Sequence, residues 1–380
     1  MPVPHRIADR MKYLDASGIR KVFDLAAKMC DPINLSIGQP HFDVPDSVKA
    51  EAIAAIKKGF NKYTQTQGIA ELRQAVAKIV EDEIGWDIVT EASSSQDSKS
   101  CLITSGTSGA LLLAFMVLIN PGDEVILLDP YFVMYKHLVN LVGGKAVIVD
   151  TYPDFLPDPQ RIADAMTERT KLMVINSPCN PTGQVYHADL LKEIAQLAAG
   201  RDLLIISDEI YNLFCYDTPF CSIASFYDDT LILRGFSKSY AMTGWRLGWC
   251  AGPADILEKM AMLQQYSFVC APSPAQVAGV AALKCDMSEQ VAQYRRKRDM
   301  VYQALAEPFG LIKPAGAFYA FVPAPKGMSG TEFVSLAIEN NVLIIPGNVF
   351  SQKDTHFRLS YATNDEKLQE GLEILVKLAK

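Results

Sequence analysis

The sequence GFSKSYAMTGWRLGW occupies residues 235–249, and a short apolar run lies at each of its ends. These runs, Leu231–Leu233 and Leu247–Ala251, are typical of buried β-strands. Lys238 therefore lies in a turn of small residues directly after a strand, eight positions before Arg246. A lysine at a strand end is most often a solvated side chain. The role of Lys238 thus depends on which residues the fold brings near it.

The same pattern of short apolar runs and longer helical stretches extends from about residue 100 to residue 252. The apolar runs are Cys101–Thr104, Glu124–Leu128, Ala146–Val149, Leu172–Ile175, Leu203–Ser207, Leu231–Leu233 and Leu247–Ala251. Helical patterns between them include Ser108–Ile119, Tyr131–Val142 and Ala188–Ala199. Runs that are continuously apolar indicate strands buried on both faces. The sequence thus predicts an α/β fold with a mainly parallel seven-stranded sheet between helices.

A second and smaller unit is predicted near the end of the chain. After residue 290 a long helix, three short strands and a long helix are indicated, at Gln290–Glu307, Phe318–Val322, Val342–Ile345, Phe357–Ser360 and Glu366–Leu378. Upstream of the sheet, Asp46–Lys58 and Ile69–Glu83 read as amphipathic helices, and Thr90–Ser100 reads as a polar loop. We expect a large domain at 46–289 and a small α+β domain made of 1–45 and 290–380.

Composition excludes several classes of protein. Of the 380 residues, 49% are hydrophobic and 21% charged, as in ordinary globular proteins. The 36 Lys+Arg and 43 Asp+Glu residues leave a net charge of −7 without a basic cluster, so we expect no nucleic-acid partner. The longest apolar run, Gly109–Ile119, is shorter than the roughly 20 residues of a membrane-spanning helix. Because Met1–Asp15 shows no secretory signal, we expect a cytoplasmic protein without a membrane partner.

Cysteine and histidine show no metal-binding pattern. The eight cysteines include no C-x-x-C pair, and the five histidines include no H-x-x-x-H spacing. Free thiols are the expected state of the cysteines, and no protein-held metal is predicted.

Polar residues follow several predicted strands, at the sheet edge where parallel sheets bind ligands. Asp208 follows Leu203–Ser207, Tyr211 comes three positions later, and Asn180 stands in the turn NSPCNPTG at 176–183. Taken singly, Asp208 could cap a helix, Asn180 could form a turn and Tyr211 could be a core residue. Their combination with Lys238 points to one cofactor.

Pyridoxal phosphate makes four demands on a protein. Its aldehyde needs a lysine, its pyridine nitrogen a carboxylate, its phenolic oxygen hydrogen-bond donors, and its phosphate a helix N-terminus. Lys238 and Asp208 would meet the first two demands. Asn180 with Tyr211 would meet the third, and the segment 106–108 would meet the fourth. The sequence therefore predicts a pyridoxal 5'-phosphate site.

The chain closely resembles the class I and II aminotransferases, which are fold-type I pyridoxal-phosphate enzymes. The resemblance runs from INLSIGQP at 33–40 to FRLSY at 357–361. Its most specific motifs are Ser237-Lys238 with TGWR at 243–246, and NPTG at 180–183. It implies an enzyme that moves the amino group of an L-amino acid to a 2-oxo acid, with 2-oxoglutarate as the expected acceptor and with ping-pong kinetics.

The resemblance also assigns residues of the cofactor site. Lys238 would form the Schiff base and carry the substrate's Cα proton, and Asp208 would face the pyridinium nitrogen. Tyr211 and Asn180 would bond the phenolic oxygen. The further cofactor contacts would come from Gly106, the amides of Thr107 and Ser108, Phe132 on the pyridine face, Ser237 and Arg246. A core phenylalanine is the alternative for Phe132.

Substrate contacts and assembly are implied in the same way. Arg358 would grip the substrate's α-carboxylate with its planar guanidinium, beside Asn180 and the backbone of Gly38. Tyr63 matches a tyrosine that family members send across a dimer interface to the phosphate of the neighbouring subunit. The resemblance therefore implies a homodimer.

Gly235 departs from the family pattern. Many members carry a serine at this position, three residues before the lysine, and its hydroxyl bonds the phosphate. In this chain that contact is either missing or supplied by Ser237 or by water.

The amino donor is less determined. A dicarboxylate specialist needs a second cation besides Arg358, and relatives place it in the segment matching Met260–Ala282 or at position 108. The first segment contains no Lys or Arg, and the second position is Ser108. This favours an aromatic or apolar donor, although Arg20 or Lys21 could supply the cation and aspartate stays open. A pyridoxal-phosphate carbon–sulfur lyase or synthase on the same scaffold is the alternative function.

Overall fold

The computed structural model describes residues 6–14, 18, 29, 31–90 and 98–380. Its α-helices are α1 Asp46–Lys57, α2 Ala70–Ile84, α3 Gly106–Leu118, α4 Met134–Leu141, α5 Pro159–Ala165, α6 Ala188–Ala199, α7 Phe236–Ser239, α8 Ala254–Gln265, α9 Ser273–Ala282, α10 Ser288–Phe309, α11 Gly330–Glu339 and α12 Asp365–Leu378. Short 3-10 helices lie at Asp9–Tyr13, Ile223–Ser225, Thr243–Trp245 and Gly347–Val349.

The strands form one large sheet and two small ones. They are β1 Ile33–Asn34, β2 Ile88–Val89, β3 Lys99–Thr104, β4 Glu124–Asp129, β5 Lys145–Asp150, β6 Thr170–Asn176, β7 Leu204–Asp208, β8 Thr230–Gly235, β9 Gly248–Pro253, β10 Tyr319–Pro323, β11 Val342–Leu343, β12 Ile345–Pro346 and β13 His356–Ser360.

The large sheet has the order β2-β3-β9-β8-β7-β6-β4-β5. Strand β9 is antiparallel to both of its neighbours, and the other neighbouring pairs are parallel. The predicted α/β fold with a mainly parallel sheet is therefore confirmed. The predicted number of seven strands is wrong, because β2 adds an eighth strand at the edge next to β3. A strand of two residues is too short to produce a recognisable hydrophobic period.

Burial explains why the central strands are apolar throughout. Every residue of β4, β8 and β9 is buried, since helices cover both faces of the sheet. Helix α3 is apolar on almost all sides because it packs against the sheet and against α8. The predicted loop at Thr90–Ser100 ends too late, because Lys99 and Ser100 already belong to β3. Residues 91–97 of that loop lie outside the described residues.

The two small sheets are built by the C-terminal strands together with β1 from the start of the chain. Strands β10, β13 and β12 form an antiparallel sheet, and β1 pairs in parallel with β11. Helices α10 and α12 pack on this unit around a large apolar cluster. The sequence reading overlooked α11, although a capping box marks its start: the Ser329 and Glu332 side chains each accept from the other residue's amide. No helix in the described part of the chain is long and apolar enough to cross a membrane.

The strand register brings distant polar residues to one edge. Asn176 at the end of β6 pairs with Asp208 at the end of β7. The next strand, β8, ends at Gly235 and leads directly into α7 and Lys238. Strand β3 runs parallel to β8 and leads into the N-terminus of α3. These carboxyl ends all open on the same side, where parallel sheets bind ligands.

Candidate active site

A cavity of about 290 Å³ lies at this edge of the sheet. It gathers most of the predicted site residues, namely Gly38, Thr107, Ser108, Phe132, Asn180, Asp208, Tyr211, Ser237, Lys238, Arg246 and Arg358. Its other walls come from Leu111, Tyr135, Asn176, Ile210, Thr243 and Tyr319. Gly106 and Tyr63, which were also predicted, do not line it.

Lys238 stands on α7 with its amine inside the protein. Its Nζ donates to the carbonyl oxygen of Gly38 at 2.5 Å. Burial, and then the positive charges of Arg358 and Arg246, lower the pKa of Lys238 to about 8. About a tenth of the amine is therefore neutral, and so nucleophilic, at pH 7.

Asp208 is a buried carboxylate at the end of β7. Its Oδ2 accepts from the Tyr135 hydroxyl at 2.6 Å, and its Oδ1 accepts from the amide of Ile210 at 3.3 Å. Burial raises the pKa of Asp208 to about 6, while the Tyr135 bond opposes that rise. Its hydrogen bonds come from neutral groups and no cation contacts it among the described side chains, so a cationic ring nitrogen would be a natural partner.

Arg358 reaches the cavity from β13. Its Nη1 donates to Asn180 Oδ1 at 3.0 Å and its Nη2 to the Ser36 carbonyl at 2.6 Å. The guanidinium lies 4.5 Å from the ring centres of both Tyr319 and Phe350. Its Nε is buried and has no hydrogen-bond partner in the described part of the chain. Burial lowers the pKa of Arg358, so an anionic ligand would stabilise its charged form.

Tyr211 contacts a second buried tyrosine, Tyr319. The hydroxyls of Tyr211 and Tyr319 lie 2.9 Å apart. A Cβ at Gly38 would come within 2.1 Å of the Tyr319 hydroxyl, so only glycine fits there. Gly38, Tyr319 and Tyr211 therefore form one packed unit beside the lysine.

The N-terminus of α3 forms the other end of the cavity. Gly106 adopts a left-handed φ of +71°, and a Cβ there would lie 2.4 Å from Arg246 Nη2. Gly106 therefore packs against the Arg246 guanidinium and does not itself line the cavity. Free backbone N–H groups of a helix start and a guanidinium together favour an anion such as phosphate.

Comparison with known proteins agrees with this geometry. Residues 31–375 match the family described as aminotransferase class I and II. The chain belongs to this family. A probable aspartate aminotransferase of Methanocaldococcus jannaschii is 37% identical over 98% of this chain and 99% of that protein. An aromatic-amino-acid aminotransferase of Thermococcus litoralis is 38% identical over 98% of each chain.

Solved structures match over the same length. The aspartate aminotransferase of Thermus thermophilus, solved with maleate, superposes with a TM-score of 0.89 at 34% identity. The match covers 98% of this chain and 99% of that one. The predicted family, fold and chemistry are therefore confirmed: the aminotransferase transfers amino groups with pyridoxal 5'-phosphate.

The cavity of the aminotransferase fits this cofactor. Lys238 carries an amine with a lowered pKa, and Asp208 offers a carboxylate without a counterion. Thr107 Oγ1 is buried at the α3 end of the cavity, and no described residue forms a hydrogen bond with it. A group with a cationic ring nitrogen at one end and a phosphate at the other would satisfy all three. The described residues include no cluster of His, Cys, Asp and Glu that could hold a metal ion.

Tyr63 of the aminotransferase points away from its own cavity, with 82% of the side chain exposed. The segment that carries Tyr63 is fixed to α8 and α9. Gln264 Nε2 donates to the Thr66 carbonyl at 2.7 Å, and Gln276 Nε2 donates to Thr64 Oγ1 at 2.9 Å. A large aromatic side chain is therefore presented to solvent by an ordered part of the fold.

The sequence reading missed Tyr135 and Tyr319. Tyr135 stands three positions after Phe132 on α4, and Tyr319 stands on β10. Neither belongs to a motif, and each looks like an ordinary buried aromatic residue. Their hydroxyls become meaningful only through partners far away in sequence, Asp208 and Tyr211.

Proposed function

We propose that this aminotransferase moves the amino group of an aromatic or apolar L-amino acid to a 2-oxo acid, 2-oxoglutarate being the expected acceptor. The observation that carries the proposal is that Lys238, Asp208 and Arg358 open onto one cavity. An amine, a carboxylate and a guanidinium meet there, as the chemistry requires.

We assign the cofactor contacts as follows. Lys238 would bond the aldehyde carbon, Asp208 would hold the proton of the ring nitrogen, and Tyr211 with Asn180 would donate to the phenolic oxygen. The phosphate would be held by the α3 amides of Thr107 and Ser108, by Arg246 and Gly106, and by Ser237, with Phe132 on the ring face. When bound, pyridoxal phosphate supplies an electron sink that acidifies the Cα proton of the amino acid.

Lys238 would then act as the general base. Its neutral amine takes the Cα proton, because a pKa near 8 keeps a useful fraction deprotonated at neutral pH. The same amine would deliver this proton to C4′ of the cofactor, and would carry a proton back from C4′ to Cα when the second substrate reacts. Since both substrates use one site in turn, ping-pong kinetics follow.

Arg358 would fix the α-carboxylate of both substrates. Asn180 and Ser36 hold its two Nη atoms, so the guanidinium is oriented before substrate arrives. The aromatic rings of Tyr319 and Phe350 also restrict it. Such preorganisation would help to orient the substrate for removal of its Cα proton at little entropic cost.

The side chain of the donor would meet a mainly apolar wall. Leu111, Phe132 and Ile210 line the cavity, and the neutral Ser108 stands where relatives place a cation. The cations in the described lining are Lys238, Arg246 and Arg358, and each is already assigned to the cofactor or to the α-carboxylate. Arg20 and Lys21, the open candidates for a second cation, lie outside the described residues. The named relatives include both aspartate and aromatic-amino-acid enzymes.

We also propose a homodimer in which the partner subunit's Tyr63 reaches the phosphate. Other large apolar side chains are also exposed on α1, just after α1, on α8 and between α8 and α9. They are Ile53, Ile56, Phe60, Met262, Tyr266 and Val269. Large exposed apolar groups of this kind mark interaction surfaces. The hydrogen bonds from α8 and α9 to residues 64 and 66 support a single contiguous face.

Two further expectations stay predictions. We propose the division into a large domain at 46–289 and a small domain at 1–45 and 290–380, which the pairing of β1 with β11 supports. A cytoplasmic location, without nucleic-acid or membrane partners, rests on the sequence alone.

The function is tested by absorption spectroscopy with single amino acids and no oxo acid. The bound cofactor should convert to its aminated form with phenylalanine, tyrosine or leucine faster than with aspartate. Lys238→Ala should abolish the conversion, whereas Lys353→Ala, which removes a surface lysine paired with Asp150, should leave it unchanged. Faster conversion with aspartate would overturn the donor assignment. Release of ammonia and an oxo acid without conversion would indicate a lyase.

The dimer assignment is tested by mixing two inactive variants, Lys238→Ala and Tyr63→Ala. If Tyr63 serves the other subunit, a mixed dimer contains one site with both native residues and recovers tight cofactor binding. If Tyr63 serves its own subunit, neither site is intact and mixing restores nothing.

A further inference from the structure

Two residues of α9 hold the chain on either side of Tyr63. Ser273 Oγ donates to the Lys62 carbonyl, and Gln276 Nε2 donates to Thr64 Oγ1 at 2.9 Å. Lys62 and Thr64 are the residues directly before and after Tyr63. The backbone that carries the Tyr63 ring is therefore bound on both sides to the first turn of one helix.

The side-chain amide of Gln276 is fully used in this region. Its Oε1 accepts from the Ile69 amide at 2.8 Å, and its Nε2 also donates to the Ala271 carbonyl at 2.8 Å. Gln276 is fully buried, and apart from Ser273 the other buried residues of α9 are alanine and glycine. A buried amide costs free energy unless its hydrogen bonds are made. The segment that Gln276 binds therefore explains why an amide occupies this apolar helix face.

The segment around Tyr63 depends on such contacts because it has no regular structure. Residues 58–69, all within the described part of the chain, contain neither helix nor strand. The Tyr63 side chain is 82% exposed, so packing within its own subunit holds the ring only weakly. A segment that is ordered before two surfaces meet avoids the entropic cost of ordering it during association.

We propose that Gln276 and Ser273 are positioning residues for Tyr63, which hold its backbone so that the ring enters the site of the partner subunit. The inference rests on the proposed function, because it requires the dimer in which Tyr63 reaches the other subunit. Neither Gln276 nor Ser273 is among the described residues that line the cavity of its own subunit. A substitution at either position should therefore change cofactor binding in the partner subunit and not in its own.

The first test is a double-mutant cycle read out as ligand binding to the apoenzyme. Gln276→Met keeps the length of the side chain and removes its amide. We expect the preference for pyridoxal 5'-phosphate over pyridoxal, which lacks the phosphate, to fall about tenfold. In a Tyr63→Phe background, which lacks the hydroxyl, Gln276→Met should have little further effect, because Gln276 acts through that hydroxyl. Losses of equal size in both backgrounds would overturn the inference.

Mixing two variants shows in which subunit Gln276 acts. In a mixed dimer of Gln276→Met and Lys238→Ala, the site that keeps Lys238 receives Tyr63 from a subunit with a native Gln276. The absorption band of the covalently bound ligand reports on this site alone, because only it contains the lysine. We expect it to show the native preference for the phosphorylated ligand. If it shows the reduced preference of Gln276→Met, Gln276 acts within its own subunit and the inference fails.

Two further variants separate positioning from stability. Thr64→Val removes the oxygen that Gln276 binds at a half-buried site, so it should fold and lower the ligand preference about threefold. Asn364→Ala removes the α12 cap, which accepts from the Lys367 amide at 2.8 Å, and should lower the melting temperature without changing the preference. If neither Gln276→Met nor Thr64→Val changes the preference, the inference fails. If Tyr63→Phe alone leaves it at the native value, the proposed dimer contact fails and the positioning role fails with it.

Discussion

Asp208 and Glu209 are consecutive buried residues at the end of β7, yet their surroundings differ completely. Asp208 accepts one side-chain hydrogen bond, from Tyr135, and lines the cavity. Glu209 accepts from Ser207 and Ser222 through Oε1, and from Arg234 Nε at 2.8 Å through Oε2. Both carboxylate oxygens of Glu209 therefore accept hydrogen bonds within the protein. The carboxylate of Asp208 is left available to a ligand.

Two nearby cations, Lys238 and Arg234, differ in the same way. Burial lowers the pKa of Lys238 to about 8, and no carboxylate contacts its amine among the described residues. Burial would also lower the pKa of Arg234, but Glu209 and Glu83 together raise it. The charges of Glu209 and Arg234 neutralise each other inside the fold. The charges of Asp208 and Lys238 face the cavity and depend on what it binds. Perturbed, uncompensated groups of the second kind mark functional sites.

Asp208→Asn is the strongest test of this contrast. The amide keeps the shape but cannot hold a proton on the ring nitrogen, so conversion of the donor should slow about a thousandfold. Thermal stability should change little, because the native carboxylate has no counterion among the residues that the structure describes. Stopped-flow absorbance and a thermal melt measure the two quantities. Conversion within tenfold of the native rate would contradict the assigned role.

Glu209→Gln should show the opposite behaviour. It leaves Arg234 buried without its main partner, which should cost about 3 kcal/mol of unfolding free energy. The folded fraction should still convert substrate at nearly the native rate. Urea titration measures the loss. Adding Arg234→Met should recover part of it, because the unpaired charge is then gone; an unchanged urea midpoint in the single variant would refute the expected coupling.

The pH dependence of cofactor capture tests the lowered pKa of Lys238. Only the neutral amine attacks the aldehyde, so the rate of covalent binding by the apoenzyme should rise with pH and level off above about 8. An ordinary lysine, with a pKa near 10.4, would have about a hundredfold less neutral amine at pH 8. Arg358→Met should move the midpoint upward, because one of the nearby positive charges is lost. A native midpoint near 10 would show that the cavity does not perturb the amine.

Tyr135→Phe should have the smallest effect. The Tyr135 hydroxyl lowers the pKa of Asp208, so its removal raises that pKa and more of the carboxyl is protonated as the pH falls. We expect kcat/KM to fall about tenfold at pH 6 and less at pH 8. Tyr216→Phe, which changes a buried tyrosine outside the cavity, is the control. A loss of equal size at both pH values would mean that Tyr135 is only a packing residue.

Sequence reasoning succeeded where the signal is local. Seven strands of the large sheet are continuous apolar runs, and the lysine turn follows one of them directly. It failed for β2, which has two residues, and for α11, whose capping box was overlooked. Tyr135 and Tyr319 gain their meaning from hydroxyl contacts made across the fold. Such contacts leave no pattern of spacing along the chain.

Gly235 is a second case in which the sequence alone does not give the structural reason. The sequence identifies it as a departure from the family, but only the structure shows that a Cβ there would lie 2.6 Å from Thr107 Oγ1, on a different element. A single sequence shows which residue is unusual. Only the packing shows which neighbours surround it.

The contact between Gly38 and Tyr319 has a consequence for genetics. Any larger residue at 38 must displace the Tyr319 hydroxyl, which pairs with Tyr211, and would also shift the carbonyl that accepts from Lys238. In a growth selection that depends on this enzyme, missense alleles at Gly38 should therefore group with alleles at Tyr211 and Tyr319. Suppressors of Gly38→Ala should arise at position 319, because phenylalanine there lacks the clashing hydroxyl oxygen.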